Sequence, residues 1–154
     1  MKALTAQALR QEAGALEEKL TDIYHRLHMH PELGFQEKET AEMIRAELTK
    51  LGLPFMAAQT GTIVDLPVDG KMENAILLRA DIDALPITEA TGLPYASQNP
   101  GVMHACGHDS HAAMLLGAAQ LLQSHRDALR RPVRLVFQPA EETLGGASFM
   151  IAQG

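Results

Sequence analysis

The densest group of side chains able to do chemistry lies in the stretch MHACGHDSH at residues 103–111. It holds the single cysteine, Cys106, and three of the seven histidines. Gly107 separates Cys106 from His108, and its lack of a side chain lets the backbone turn a thiolate and an imidazole towards one ion. Sulfur and nitrogen donors suit zinc and other borderline metals. The pattern favours a metal site, and the alternative is a helix start with a buried thiol and surface histidines.

A second group is the adjacent pair Glu141 and Glu142, which follows a predicted strand and Pro139. At a strand end such a pair can divide its work, with one carboxylate binding metal and the other acting as general base on a metal-activated water. An adjacent glutamate pair is also common on solvated surfaces. Gly145 and Gly146 nearby, with the apolar strand behind them, favour a site, because a solvated pair needs neither.

Three aspartates are further candidates. Asp81 and Asp83 follow another predicted strand, and alternation places both carboxylates on one side of an extended chain. They could ligate metal, orient a ligand histidine or cap the next turn, and the sequence leaves these roles open. Asp109 lies where a helix is predicted to start, as an N-cap or as a carboxylate that orients a ligand histidine. Four other histidines are predicted to be structural: His25, His28, His30 and His125.

Hydrophobic periodicity predicts the elements that position these residues. Helices are expected over residues 9–28, 37–51, 110–124 and 144–153, with Gly52 closing the second. Strands are expected over residues 60–66, 75–80 and 131–138. Residues 81–102 form a long loop, and loops of that length are often functional.

Helices alternating with apolar strands predict an α/β layer architecture with a largely parallel or mixed sheet. The strand at residues 75–80 is almost entirely apolar, as expected for a strand covered on both faces. Ligands of such sheets bind beyond the carboxyl ends of the strands. The site is therefore expected where the chain leaves Ala80 and Gln138.

Composition excludes several functional classes. The 13 Lys and Arg are outnumbered by 19 Asp and Glu, and no basic stripe indicates a nucleic-acid partner. No apolar run suits a signal peptide or the roughly 20 residues of a membrane span. One cysteine cannot form an internal disulfide, so a reducing, cytoplasmic setting is expected.

Four blocks of the sequence resemble one known family. They are RLHMHPELGF at residues 26–35, LRADIDALPI at 78–87, PGVMHACGHD at 100–109, and FQPAEE at 137–142 followed by Gly145, Gly146 and Ala147. Together they are similar to the aminoacylases, hippurate hydrolases and auxin-conjugate hydrolases, which are two-metal amidohydrolases. The blocks occur in the family's order and span nearly the whole chain.

The resemblance implies hydrolysis of the amide bond of N-acyl amino acids by two divalent ions, manganese or zinc. It implies that Cys106, His108 and Glu142 are metal ligands and that Glu141 is the general base. It gives Asp81, Asp83 and Asp109 supporting roles. The implied fold is a three-layer α/β domain, a sheet with helices on both faces as in zinc exopeptidases, incomplete at its C-terminal side.

Family members are more than twice as long as this chain. The resemblance therefore implies that residues 1–154 are the N-terminal part of the catalytic domain, without two further histidine ligands and an inserted dimerisation and lid domain. Little turnover and self-association through an open sheet edge are expected. The alternatives are a non-catalytic fragment that acts as a self-associating binding module, and an α/β domain whose clusters are structural.

Overall fold

The computed structural model describes residues 4–143 and 145–153. The helices are α1 (Ala6–Gly14), α2 (Glu17–Met29), α3 (Lys38–Lys50), α4 (His108–Ser124) and α5 (Gly146–Ala152), with a 3₁₀ turn at Arg126–Ala128. The strands are β1 (Met56–Ala58), β2 (Gly61–Leu66), β3 (Ile76–Asp81) and β4 (Val133–Gln138). In the described part of the chain no helix is long and apolar enough to span a membrane.

The predicted helices are present, with one error. The single helix predicted over residues 9–28 is two helices, with a break after Gly14, a residue of low helix propensity. Helix α3 begins where the carboxylate of Glu32 accepts hydrogen bonds from the N–H groups of Lys38, Glu39 and Thr40. It closes as predicted, with Gly52 in the left-handed region at φ +68°. The last helix begins at Gly146, and Leu144, where it was predicted to begin, lies outside the described residues.

The four strands form one mixed sheet in the order β1-β2-β4-β3, which confirms the predicted mixed α/β class. Strand β2 is antiparallel to β1 and β4, whereas β3 and β4 are parallel, with Asp81 opposite Gln138. Strand β1 and the 3₁₀ turn were not predicted, since each has only three residues.

The two faces of the sheet are covered unequally. On one face Val64, Leu135 and Phe137 are fully buried in the main core, to which α2, α3 and α4 contribute. On the other face a small cluster of Ala58, Ile63 and Met150 packs α5 against β1 and β2. Helices therefore lie on both faces of the sheet, but α5 covers only part of the second face.

Strand β3 corrects one expectation. It was predicted to be covered on both faces, yet it is an edge strand in which Ile76 is 43% and Leu77 58% exposed. Its apolar composition suits a parallel strand that has neighbours on both sides, and among the described residues only β4 pairs with it.

Candidate metal centre

The carboxyl ends of β3 and β4 meet the start of α4, and the predicted site residues gather there. The loop after β3 is tied back by bridges between Leu33 and Ala84 and between Leu85 and Met103. These bridges bring the turn that carries Cys106 next to the end of β3. The site therefore lies beyond the strand ends, as the sequence predicts.

The turn before α4 depends on Gly107, whose φ of +89° is rarely adopted by residues with a side chain. Ser110 Oγ donates to the Gly107 carbonyl at 2.7 Å and fixes this turn. His108 is then the first residue of the helix, two positions earlier than predicted. Cys106 and His108 thus lie on the two sides of a left-handed residue and can face one point.

Cys106, His108 and Glu142 each offer one ligand atom, and these atoms lie within 4.8 Å of one another. His108 is buried, and the other two residues are half-buried. Bonds of about 2.0–2.3 Å in a tetrahedral site hold donor atoms roughly 3.3–3.8 Å apart, so small side-chain movements bring this group to the spacing that zinc needs. The sulfur, nitrogen and oxygen donors fit a divalent metal ion.

Asp83 is the fully buried centre of this arrangement. Its carboxylate accepts a hydrogen bond from the N–H of Glu142 at 2.9 Å, and its Oδ1 lies 3.3 Å from His108 Nδ1. Burial raises the pKa of Asp83, but hydrogen bonds from His108 and from the backbone of Glu142 and Glu141 lower it overall. Of the three roles left open for this residue, the geometry favours orientation of a histidine.

The same contact acts on His108. Burial lowers its pKa, but hydrogen bonds with Asp83 and Cys106 raise it to about 11 in the absence of metal. Because Nδ1 faces both the carboxylate and the carbonyl oxygen of Asp83, Nε2 is the nitrogen left for an ion.

Asp81 lies on the other side of the same imidazole, with Oδ2 4.0 Å from His108 Nε2. Burial raises its pKa, although Arg79, which donates a hydrogen bond to it, opposes the shift. Asp81, His108 and His111 form a second group with ligand atoms within 4.8 Å of one another. No role was predicted for His111, although its spacing of three residues from His108 on a helix was a usable signal.

Glu141 points towards the same histidine, with Oε2 3.9 Å from His108 Nε2 and a side chain that is 40% exposed. It lines a cavity of about 200 Å³ together with Arg79, Gln138 and Ala147. The two adjacent glutamates thus occupy different positions, Glu142 in the donor group and Glu141 at the open side.

The turn that carries this pair is tightly constrained. Ala140 has a left-handed backbone at φ +53°, and its carbonyl accepts hydrogen bonds from the N–H groups of Gly145 and Gly146. A Cβ at Gly146 would lie 1.6 Å from the Pro139 carbonyl oxygen, so only glycine fits there. This contact explains the second of the two glycines, Gly146.

Of the two roles predicted for Asp109, that of N-cap is wrong. Gly107 is the N-cap of α4, and in the described structure Asp109 bonds His28 Nδ1 at 2.6 Å and the N–H of Ser110 at 2.8 Å. His28 also lies 3.3 Å from Glu89, so it links the long loop to α4. Burial lowers the pKa of His28, but the hydrogen bonds with Asp109 and Glu89 raise it overall.

The remaining histidines lie outside both donor groups found among the described residues. His25 stacks on Tyr95, and His125 bonds Glu12 at 2.6 Å. His104 is buried, and neither ring nitrogen has a hydrogen-bond partner in the described structure. Burial lowers the pKa of His104 to about 4, so this imidazole is neutral near pH 7.

Comparison with known proteins finds a family model and several relatives. The model of peptidase family M20/M25/M40 matches residues 77–154. N-acetyl-L-cysteine deacetylase of Bacillus subtilis is 51% identical over 90% of this chain, and N-acyl-L-amino acid amidohydrolase of Geobacillus stearothermophilus is 44% identical over 90%. A Bacillus subtilis crystal structure, described as a dinuclear metal binding peptidase from the M20 family, superposes with a TM-score of 0.85 at 43% identity over 90% of this chain.

The chain spans only part of these proteins. It covers 34% of the deacetylase, 39% of the amidohydrolase and 40% of the solved structure.

Proposed function

The chain belongs to peptidase family M20/M25/M40, a family of hydrolases, and from that premise we propose that it takes part in metal-dependent hydrolysis of the amide bond of N-acyl amino acids. The observation that carries the proposal is the donor group of Cys106, His108 and Glu142 beside the carboxylate of Glu141. The names of the two amidohydrolase relatives support the substrate class.

Cys106, His108 and Glu142 would hold a divalent ion, manganese or zinc, in a centre that takes two. When bound, such ions polarise the amide carbonyl and lower the pKa of water towards neutrality. Asp83 orients His108 through Nδ1 and holds the backbone of Glu142. Asp81 faces His108 Nε2, and Asp109 fixes the first turn of α4 through His28.

Glu141 would move the proton. Its carboxylate takes a proton from the attacking water, whose oxygen forms a bond to the amide carbon. It then delivers that proton to the amide nitrogen as the carbon–nitrogen bond breaks, and the proton left on the new carboxyl group passes to the amine, so the products are a carboxylate and an ammonium group. The side chain of Glu141 is 40% exposed, which leaves room for substrate, whereas Glu142 belongs to the donor group with Cys106 and His108.

We further propose that these residues form the N-terminal part of the catalytic domain. The described donors number three in the first group, and a two-metal centre needs more ligands than that. In this proposal the remaining ligands and a lid domain lie in the part of the longer relatives that has no counterpart here. The chain by itself would then turn over little, and a reducing cytoplasm would keep Cys106 out of disulfides.

A second candidate is a non-catalytic module that associates with itself through β3. The open edge of that strand and the exposed Ile76 and Leu77 beside it favour this possibility. A clean monomer in size-exclusion chromatography with light scattering would contradict it.

The test of the main proposal measures metal binding and turnover together. Cobalt titration of the chain should give thiolate-to-cobalt absorption that Cys106→Ala abolishes. N-acetyl-L-cysteine, hippurate and auxin conjugates, supplied with manganese or zinc, form the substrate panel, with Glu141→Ala as control. Absence of cobalt binding at Cys106 would refute the metal site. Substantial turnover by the wild-type chain that is lost in Glu141→Ala would refute the expectation that the chain is inactive by itself.

A further inference from the structure

Glu37 is a buried carboxylate to which the proposed function assigns no role. It is the N-cap residue of α3 and has 0% relative exposure. The helix does not use its side chain, because the carboxylate of Glu32 already accepts the N–H groups of the first turn. A buried acid carries a desolvation cost, and for Glu37 burial indeed raises the pKa.

The carboxylate reaches across the fold to the turn that carries the two glutamates. One oxygen accepts a hydrogen bond from the N–H of Ala140 at 2.9 Å, and the other accepts one from Thr60 Oγ1 at 2.8 Å. Both partners are donors, which suits an acceptor-only carboxylate.

The backbone conformation of Ala140 sets the direction of the Glu141 and Glu142 side chains. Its left-handed backbone, at φ +53°, is costly for a residue with a side chain and persists only where the surroundings enforce it. The N–H of Ala140 is held by Glu37, and two residues later the N–H of Glu142 is held by Asp83. Two buried carboxylates therefore grip the backbone on either side of Glu141.

We propose that Glu37 is a positioning residue that fixes the turn at Ala140 and thereby aims Glu141 and Glu142 at the metal centre. The consequence for metal binding rests on the proposed function, whereas the effect on the turn does not. Glu37 acts through the backbone and does not touch the reacting atoms.

The test compares a variant that removes the charge of the Glu37 side chain with one that shortens it. Glu37→Gln keeps the length of the side chain, and its amide oxygen can still accept from Ala140. Glu37→Asp keeps the charge but is one methylene shorter, so it loses the contact. Thr60→Val is the matched control, because it removes the partner of the other oxygen and leaves Ala140 alone.

The first readout is amide hydrogen exchange followed by NMR on the whole chain. In Glu37→Asp we expect faster exchange at Ala140 and Glu141, with unchanged exchange at the core residue Val64. In Glu37→Gln and Thr60→Val we expect exchange close to that of the wild type. Exchange at Ala140 and Glu141 that is the same in Glu37→Asp as in the wild type, or that rises only in step with Val64, would overturn the proposal.

The second readout is cobalt binding. We expect the dissociation constant to rise by about 10-fold or more in Glu37→Asp and to stay within about twofold in Glu37→Gln. Wild-type protein that binds no cobalt would refute the proposed metal site, while the exchange data still decide the role of Glu37. Unaltered cobalt affinity and visible spectrum in Glu37→Asp, with a looser turn, would show that the turn does not position the ligands.

Discussion

The carboxylate of Asp83 lies between His108 and Glu142, touching the imidazole of one and the backbone N–H of the other. The backbone carbonyl of Asp83 also lies 3.0 Å from His108 Nδ1, so one residue contacts two candidate ligands that are 34 positions apart in the chain. The position of one ligand cannot change without disturbing the contact that sets the other.

Loss of this carboxylate should weaken metal binding. In Asp83→Asn the side chain loses its charge beside His108, while the backbone carbonyl of residue 83 still accepts from His108 Nδ1, so the imidazole is held less firmly. We expect cobalt or zinc affinity to fall by about 10- to 100-fold, measured by competition with a chromophoric chelator. Asp65→Asn breaks an ion pair with Arg134 on the sheet and serves as the control. Equal affinities for Asp83→Asn and wild type would contradict the orienting role.

The two adjacent glutamates should separate in their effects. Glu142→Gln removes a charged donor from the group with Cys106 and His108, so we expect weaker cobalt binding. Glu141→Gln should leave cobalt affinity nearly unchanged. It should reduce the turnover rate of the preparation by about 10²-fold or more. Isothermal titration and hydrolysis of N-acetyl-L-cysteine measure the two effects. A larger loss of cobalt affinity in Glu141→Gln than in Glu142→Gln would reverse the assignment.

His28 should make stability depend on pH in a defined direction. Its pKa in the folded state is raised by Asp109 and Glu89 above the ordinary value of about 6.5. Its contribution is therefore fully present below about pH 6.5 and is lost as the pH rises through the folded-state pKa. The difference in the free energy of unfolding between wild type and His28→Gln should become smaller as the pH rises from about 6 to about 9. Urea titration at each pH, with a chelator present, measures this difference. A difference that stays constant or grows over this range would contradict the assignment, and His25→Gln controls for the loss of a histidine.

Two glycines should respond oppositely to alanine. Gly146→Ala drives a Cβ into the Pro139 carbonyl, so we expect a loss of stability of about 1–3 kcal/mol or more. Gly14 lies at the end of α1 with open space around it, and Gly14→Ala should stabilise by about 0.5–1 kcal/mol through helix propensity. Thermal denaturation measures both. A stable Gly146→Ala variant would mean that the turn can relax without cost.

Local patterns carried much of the prediction. Apolar periodicity gave the bounds of α3, α4, β2 and β4 to within two residues, since each buries apolar side chains in the main core. Periodicity also ran straight through Gly14, because the apolar spacing continues across the break between α1 and α2. Burial of β3 was overestimated for a different reason. The apolar composition of β3 suits a strand that is covered by neighbours, but composition alone does not show whether those neighbours are present.

Site residues were predictable where neighbours in sequence are also neighbours in space. Cys106 and His108 became candidates by their spacing, and Glu141 and Glu142 by their adjacency together with the nearby glycines and apolar strand. The contacts of Asp83 with Glu142 and of His28 with Asp109 join distant segments, and their separations of 59 and 81 positions leave no local signal. Glu37 was missed for the same reason, because its partner Ala140 carries no polar side chain.

The bond between Glu37 and Ala140 also bears on the order in which the chain folds, because it joins residues 103 positions apart. Closing so long a loop is entropically costly and slow compared with pairing β1 and β2, which are adjacent in sequence. In pulse-labelled refolding the Ala140 amide should gain protection after the amides of the β1–β2 pair, and earlier protection would contradict this order. During synthesis, the two glutamates can take their working geometry only after the chain has been made beyond Glu142.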